Sequence, residues 1–351
     1  MRLFMQRRLF NIALLLIFLV SIASCDIFES EVSGISPIKT YRNIPGVTEE
    51  EISVIESLKK SREKFFYGQM PGEEAFILPD GTYAGFAAKL CALLSSLFEM
   101  EFALELRDLE ALKRGIDDKL LDFTSHLTPV AEQVRLYYMT QPIANRSKVI
   151  FTVTGKNNIV TEKDVDGLRI GFLGGSIEAG RIMKYYPDLS FHIVSVDSFE
   201  SAAKMLQAGE IDAFVSERVM APLFDGYDFI QSRDFFPLAY DPVSIATANP
   251  DLLPVITVIN KFAAAGGIDK LLELYRESEE EYARHILHRS FTDEERRYLD
   301  NLAANNGTVK VIIDRANYPV SFFNNSAGTF QGIATDVLSK ISKLTDIKFE
   351  I

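Results

Sequence analysis

Hydrophobic positions along this chain change period repeatedly. Ile52, Ile55 and Leu58 share one helical face, and the helix they predict opens on Thr48, with Glu51 three residues on completing a capping box. The apolar run Phe65-Phe66-Tyr67 predicts a first strand, Asp80-Gly81 a turn, and Gly85 to Phe98 an amphipathic helix. Lys148 to Val153 predicts a strand crossing out of this first unit, and Leu168 to Leu173 one that opens a second. A helix over Ser176 to Tyr186, a strand, a helix over Ser198 to Ala208 and the strand Ile211 to Val215 follow. Alternation of this kind implies α/β architecture, parallel sheets with helices on both faces.

The pattern also repeats. Thr48-Glu49-Glu50-Glu51 returns as Thr292-Asp293-Glu294-Glu295, with a leucine ten residues on in each case, Leu58 and Leu302. Phe76, Gly81, Gly85, Leu90, Leu94 and Leu97 match Phe323, Gly328, Gly332, Val337, Ile341 and Leu344 at a constant spacing of 247 residues. A second unit of the same kind is therefore expected from Thr308, cut off after about its first strand and helix. What remains of it cannot cover the face of a sheet begun there.

The N-terminus has its own signature. Arg2, Arg7 and Arg8 precede an apolar stretch from Ile12 to Ile22, then Ala23-Ser24-Cys25, which describes an export signal. The stretch is short for a membrane span, which needs about 20 residues. Ile22-Ala23-Ser24-Cys25 resembles a bacterial lipobox with Cys25 as the lipidated residue; the other reading is an uncleaved anchor helix. Either places the body outside the cytoplasm, in the periplasm or at the cell surface and close to a membrane. The polar stretch after Cys25, with Gly34, Pro37 and Pro45, is expected to be a tether. Cys91 then has no cysteine partner and is expected to be a buried structural thiol. A formal charge of -12 excludes a nucleic-acid partner, which needs a basic surface.

Few residues advertise chemistry. Gly174-Gly175-Ser176 lies between a strand and a helix, where backbone N–H groups hold an anion or simply close a turn. Asp212 is expected at the mouth of a second-lobe strand, facing a ligand cation or capping a turn. Asp122-Phe123-Thr124-Ser125-His126-Leu127-Thr128-Pro129 offers hydroxyls and an imidazole at a strand end. His285 and His288 share a helix face without further ligands beside them, so a metal site is not expected. No zinc-protease, nucleophile-elbow, P-loop or dinucleotide motif occurs, so neither an enzyme nor a cofactor is expected.

At these residues the chain resembles a known family. Asp80-Gly81, Gly85-Phe86, Leu127-Thr128-Pro129 and Tyr138-Met139-Thr140-Gln141-Pro142 resemble the first lobe of the family 3 extracytoplasmic solute-binding proteins. Asp166-Gly167-Leu168-Arg169-Ile170-Gly171, Gly174-Gly175-Ser176 and Ala208-Gly209-Glu210-Ile211-Asp212-Ala213 continue the likeness through the second. The resemblance implies a two-lobed periplasmic-binding-protein domain of the type II, Venus-flytrap kind, with crossing strands near Val149–Thr154 and Ala239–Ala246. It divides the chain into a signal peptide (1–24), a tether (25–47) and a first binding domain (48–288). Lobe 1 takes about 64–150 and 239–275 and lobe 2 about 155–238; a linker helix (289–307) and an incomplete second domain (308–351) follow. Phe76, Ser125, Thr128 and Gln133 are the implied ligand contacts of lobe 1, and Gly175, Ser176 and Asp212 those of lobe 2. Gln133 stands where amino-acid binders of the family carry an arginine, so the ligand is an amino acid or another small polar solute. The tandem arrangement resembles sensory ectodomains of bacterial sensor kinases and diguanylate cyclase receptors, implying a dimer or downstream signalling domain as partner. The alternative is a substrate-binding lipoprotein of an ABC importer.

Overall fold

The structure, a computed structural model, describes residues 38–127, 133–156, 159–175, 177–304 and 307–351. The signal stretch, most of the tether and Cys25 lie outside them. Thr40–Ile351 forms one compact unit.

The elements run in chain order as α1 (Glu49–Ser61), β1 (Lys64–Gln69), β2 (Phe76–Ile77), β3 (Tyr83–Ala84), α2 (Phe86–Phe98), β4 (Glu101–Leu106), α3 (Leu109–Asp117) and β5 (Phe123–Thr124). Then come α4 (Gln133–Leu136), β6 (Tyr138–Met139), β7 (Ala144–Arg146), β8 (Lys148–Val153), β9 (Arg169–Leu173), α5 (Glu178–Tyr185), β10 (His192–Val196), α6 (Phe199–Ala208), β11 (Ala213–Glu217) and β12 (Ile230–Phe235). The chain returns through β13 (Asp241–Val243), β14 (Ala246–Thr247), α7 (Leu253–Phe262) and α8 (Ile268–Ser290). It ends in α9 (Asp293–Ala304), β15 (Thr308–Lys310), β16 (Ala316–Asn317), β17 (Ser321–Asn324), β18 (Thr329–Gln331), α10 (Ile333–Thr345) and β19 (Lys348–Glu350).

Two five-stranded sheets form two lobes, ordered β4-β1-β5-β14-β6 and β10-β9-β11-β8-β12. In each, three parallel strands accept one antiparallel strand that arrives from the other lobe: β14 beside β5, β8 beside β11. The lobes are joined by β7 and β13, which pair antiparallel with Arg146 opposite Asp241. The crossing therefore precedes the stretch expected from the sequence. Lys148–Val153 belongs wholly to the lobe 2 sheet, and only Ser147 separates it from the crossing strand, so both read as one extended run. β8 shows why that sheet is buried on both sides. Val149 and Phe151 pack with Phe214 and Phe224 beneath α6, while Ile150 packs with Ile170 and Val215 beneath α5, as the period of two requires.

The lobe 1 helices follow their end signals. Thr48 and Glu51 close the expected capping box on α1, with bonds of 3.2 and 2.8 Å. α2 begins after Gly85 (φ 93°), where a Cβ would fall 2.7 Å from the Glu74 carbonyl; only glycine fits so close a backbone approach. α2 buries Leu90, Leu94 and Leu97 as well as Cys91, a free thiol whose pKa burial pushes up. The helical run Pro250–Ser290 is apolar enough in one stretch to cross a membrane by composition. It is broken at Gly266 (φ 97°), however, and buries Val255, Ile256, Val258 and Ile259.

The last segment reproduces the first in geometry. α10 spans the α2 range displaced by 247 residues, its entry Gly332 has φ 120° against 93° for Gly85, and its left-handed exit Asp346 matches Glu99. β15 and β19 pair parallel as β1 and β4 do. Thr292 and Glu295 form the Thr48–Glu51 box again, at the same 3.2 and 2.8 Å.

Candidate functional site

The register fixes which strand ends meet. Glu217, the last residue of β11, lies opposite Lys148, the first of β8, directly after the crossing. The carboxyl ends of β9 and β11 thus face the junction, and so do those of β1 and β5 in lobe 1, since Thr124 lies opposite Ala246 just after the return crossing. Crevices outside the carboxyl ends of parallel strands are where α/β sheets hold ligands.

Arg146 on β7 and Lys148 on β8 are two residues apart and both fully buried. Arg146 donates to both Glu74 carboxylate oxygens, Nε to Oε1 at 2.7 Å and Nη2 to Oε2 at 2.6 Å, and to the Ser125 carbonyl at 2.7 Å. It also reaches Glu217 of lobe 2 at 3.5 Å. Gln69 (2.8 Å) and the Tyr275 hydroxyl of α8 (3.0 Å) complete the shell of Glu74. Burial opposes the charge on Arg146, but Glu74 and Glu217 outweigh it and hold the guanidinium protonated. Lys148 donates to Glu178 Oε1 at 2.9 Å and to Asp241, which also accepts from Arg181. These acids more than offset the desolvation of the ammonium, which stays charged.

Bridging the lobes at the rim, Arg218 pairs with Glu73 at 3.0 Å and with Asp234. Met220 and Leu223 of the same lobe 2 segment pack on the lobe 1 cluster of Met70, Leu121 and Leu127. Pro222 lies so near Gly72 that a Cβ there would meet it at 2.9 Å. The lobes are in contact.

Several buried polar atoms at this junction find no hydrogen-bond partner among the described residues: Glu178 Oε2, both ring nitrogens of His126 and Ser244 Oγ. Burial drives the Glu178 carboxyl up to about 7 against the pull of Lys148. Burial, with Arg146 and Lys113 adding, brings His126 down to about 3, so the ring is neutral. Glu73 is likewise raised by burial, to about 7. Glu178, Glu217 and Asp241 each bring a carboxylate oxygen within 4.8 Å of the others. Lys148 already serves two of them as their cation.

No protein-family model and no curated protein matches the chain. Solved structures do. They include the periplasmic VFT2 domain of BvgS from Bordetella pertussis, at 17% identity and TM-score 0.49 over 64% of this chain and 97% of that one. A P235GK mutant of ArgBP from T. maritima aligns at 21% identity and TM-score 0.43 over 64% and 99%. An amino acid ABC transporter substrate-binding protein, AbpA from Streptococcus pneumoniae, bound to L-arginine, aligns at 18% and 0.42 over 63% and 98%. The strand order of the chain itself is decisive: each sheet runs second, first, third, the antiparallel strand from the other lobe, fourth. The fold is the two-lobed, type II Venus-flytrap fold.

Within the flytrap, the residues singled out from the sequence scatter. Ser125 lies at the junction, buried, with its carbonyl on Arg146 and its hydroxyl 3.4 Å from Gln69 Oε1. Gly175 (φ 75°) also stands there, in the turn after β9. Thr128, Ser176 and Cys25 fall outside the described residues, as does the side chain of Gln133, whose backbone opens α4. Phe76 lies against α8, its ring 5.3 Å from Tyr282 and 4.7 Å from His285. Asp212 stands just before β11, at the end far from the junction, and takes Arg169 in a two-pronged pair at 2.8 and 3.0 Å. The expectation for it inverted the strand: the acid at the cleft end is Glu217. Asp122 is structural, bonding Arg62 at 2.6 Å and the Phe66 amide at 2.9 Å.

Sequence reasoning passed over Arg146, Lys148, Glu74, Glu178 and Asp241. A signal for the first two existed: two cations at i, i+2 directly before Val149-Ile150-Phe151 share one face of an extended run that is otherwise buried.

Proposed function

We propose that this flytrap is an extracytoplasmic small-molecule-binding domain with a sensory role in a membrane-associated bacterial receptor. The observation that carries the reading is the position of the polar groups. Buried ionised and hydrogen-bond-seeking side chains gather where the carboxyl ends of both sheets meet, between lobes joined by the β7–β13 pair. Folded proteins rarely bury polar atoms without a partner, and a cluster of them at one crevice points to an occupant. A solute held there would favour lobe contact over separation and so shift the population between the two.

The sensory part rests on α8. One continuous helix carries Tyr275, bonded to Glu74 in the hinge network, and Arg284 and His288, which bond the Lys343 and Leu344 carbonyls of α10. A change at the hinge thus has a stiff path to the repeated segment, read as the start of a second domain. The importer reading keeps the same cleft and draws support from the lipobox at Cys25.

The test is a thermal-shift screen of the full chain against amino acids, amines and small carboxylic acids. A ligand at one hundred times its Kd stabilises by about 2.7 kcal/mol, well within detection. Stabilisation by one chemical class, abolished by Glu74→Gln, is the expected result; a flat screen removes the reading.

A further inference from the structure

Carboxyl groups crowd the lobe junction, and their arrangement bears on the chemistry of the solute. Among the described residues, Glu73, Glu74, Glu178, Glu217 and Asp241 converge there against Arg146, Lys148, Arg181 and Arg218. Each of these cations is already engaged by a carboxylate, and Arg218 is shared with the more exposed Asp234. His126 adds no charge, being held neutral. An independent feature points the same way: Glu178 is 7% exposed, and its second carboxylate oxygen has no partner among the described residues. Burial favours the protonated carboxyl, whereas a donor cation at this oxygen favours the ionised form, which accepts only. A cation satisfies such an oxygen best, since its donor bond is charge-assisted.

We infer that the cleft takes a small organic cation, a primary amine or diamine, rather than a carboxylate or a zwitterionic amino acid. This rests on the solute-binding reading above. The ammonium would donate to Glu178 Oε2 beside Lys148, which already shows that the Glu178–Asp241 pair accepts an alkylammonium. A ligand carboxylate would be repelled by these acids, and Arg146, Arg181 and Arg218 are each already engaged by a carboxylate. Gln133, at the position where the family resemblance implies a carboxylate-clamping arginine, cannot supply a fixed charge either.

The experiment titrates the full chain by calorimetry and thermal shift with 1,4-diaminobutane and agmatine, against succinate, glutamate, arginine and the uncharged 1,4-butanediol. The amines should bind and the diol and succinate should not. Glu178→Gln keeps the shape of the site and leaves Lys148 paired with Asp241, so the fold should persist while amine affinity falls at least about tenfold, the cost of one charged hydrogen bond. Glu178→Asp, which keeps the charge, should lose less than the glutamine variant. Binding of succinate or glutamate in preference to the amines, or equal amine affinity in all three proteins, overturns the cation assignment while leaving solute binding intact. Absence of any response across the whole panel overturns both.

Discussion

The first unit and the segment that repeats it share their local geometry and almost nothing of their environment. α2 and α10 have the same length, the same glycine entry and the same left-handed exit. Yet Leu90, Leu94 and Leu97 are buried, whereas no residue of α10 is, and Val337 and Ile341 stand exposed. Helix ends are set by caps and backbone within a few residues, and burial is set by what packs from elsewhere. For α2 that is the sheet and α8; α10 also meets α8, through its Lys343 and Leu344 carbonyls, yet none of its residues is buried.

The sharpest contrast lies just before each helix. The Glu74 carbonyl receives the Ala87 amide and the Val320 carbonyl receives that of Ala334, so the two positions are equivalent in backbone terms. Only Glu74 carries the hinge charge. Glu74→Ala leaves Arg146 buried without its main partner and should cost about 3–5 kcal/mol. Val320→Ala should stay within about 0.5 kcal/mol, both measured by urea unfolding. Equal costs would break the comparison.

Leu94→Ala empties space in a packed core and should cost about 2–5 kcal/mol. Its counterpart Ile341→Ala should cost about 0.5 kcal/mol or less. A large loss at Ile341 would mean that the α10 face is covered in solution.

The first unit should also have a pH signature that the repeat lacks. Glu73 and Glu178 are raised by burial to about 7 from 4.5. The folded state therefore holds protons that the unfolded state releases, so stability is greatest below about 4.5 on this account and is lost as pH rises to about 7. For Glu178 the effect should be of order 1–3 kcal/mol, and Glu178→Gln should flatten the curve measured between pH 5 and 8. A curve unchanged by that substitution would refute the assignment.

The smallest expected effect is a test of sameness. Thr48→Ala and Thr292→Ala each remove one capping-box hydroxyl and should each lower the stability of their own helix by about 1 kcal/mol. Amide exchange in α1 and α9 reads the two separately, and similar losses would confirm that the caps act independently of surroundings.

These contrasts explain what was legible in the sequence. Caps, glycine entries and the 247-residue repeat are local or periodic, and they appeared where expected. Alternation of strands and helices announced the two sheets. Which strand end faces the cleft is a tertiary fact, and Asp212 and Glu217 flank the same strand with equal plausibility until the crossing is placed. Phe76 packs on α8, some 200 residues later, a contact that no local pattern announces. Arg146 and Lys148 went unremarked because buried charges reveal themselves through partners distant in sequence: Glu74, Glu178 and Asp241.

The hidden thiol of α2 offers a clock for all this. Cys91 is buried and little inclined to ionise, so an alkylating reagent can reach it only while α2 is lifted from its bed. Its modification rate counts such openings, and any solute that holds the lobes together should slow the count in proportion to occupancy.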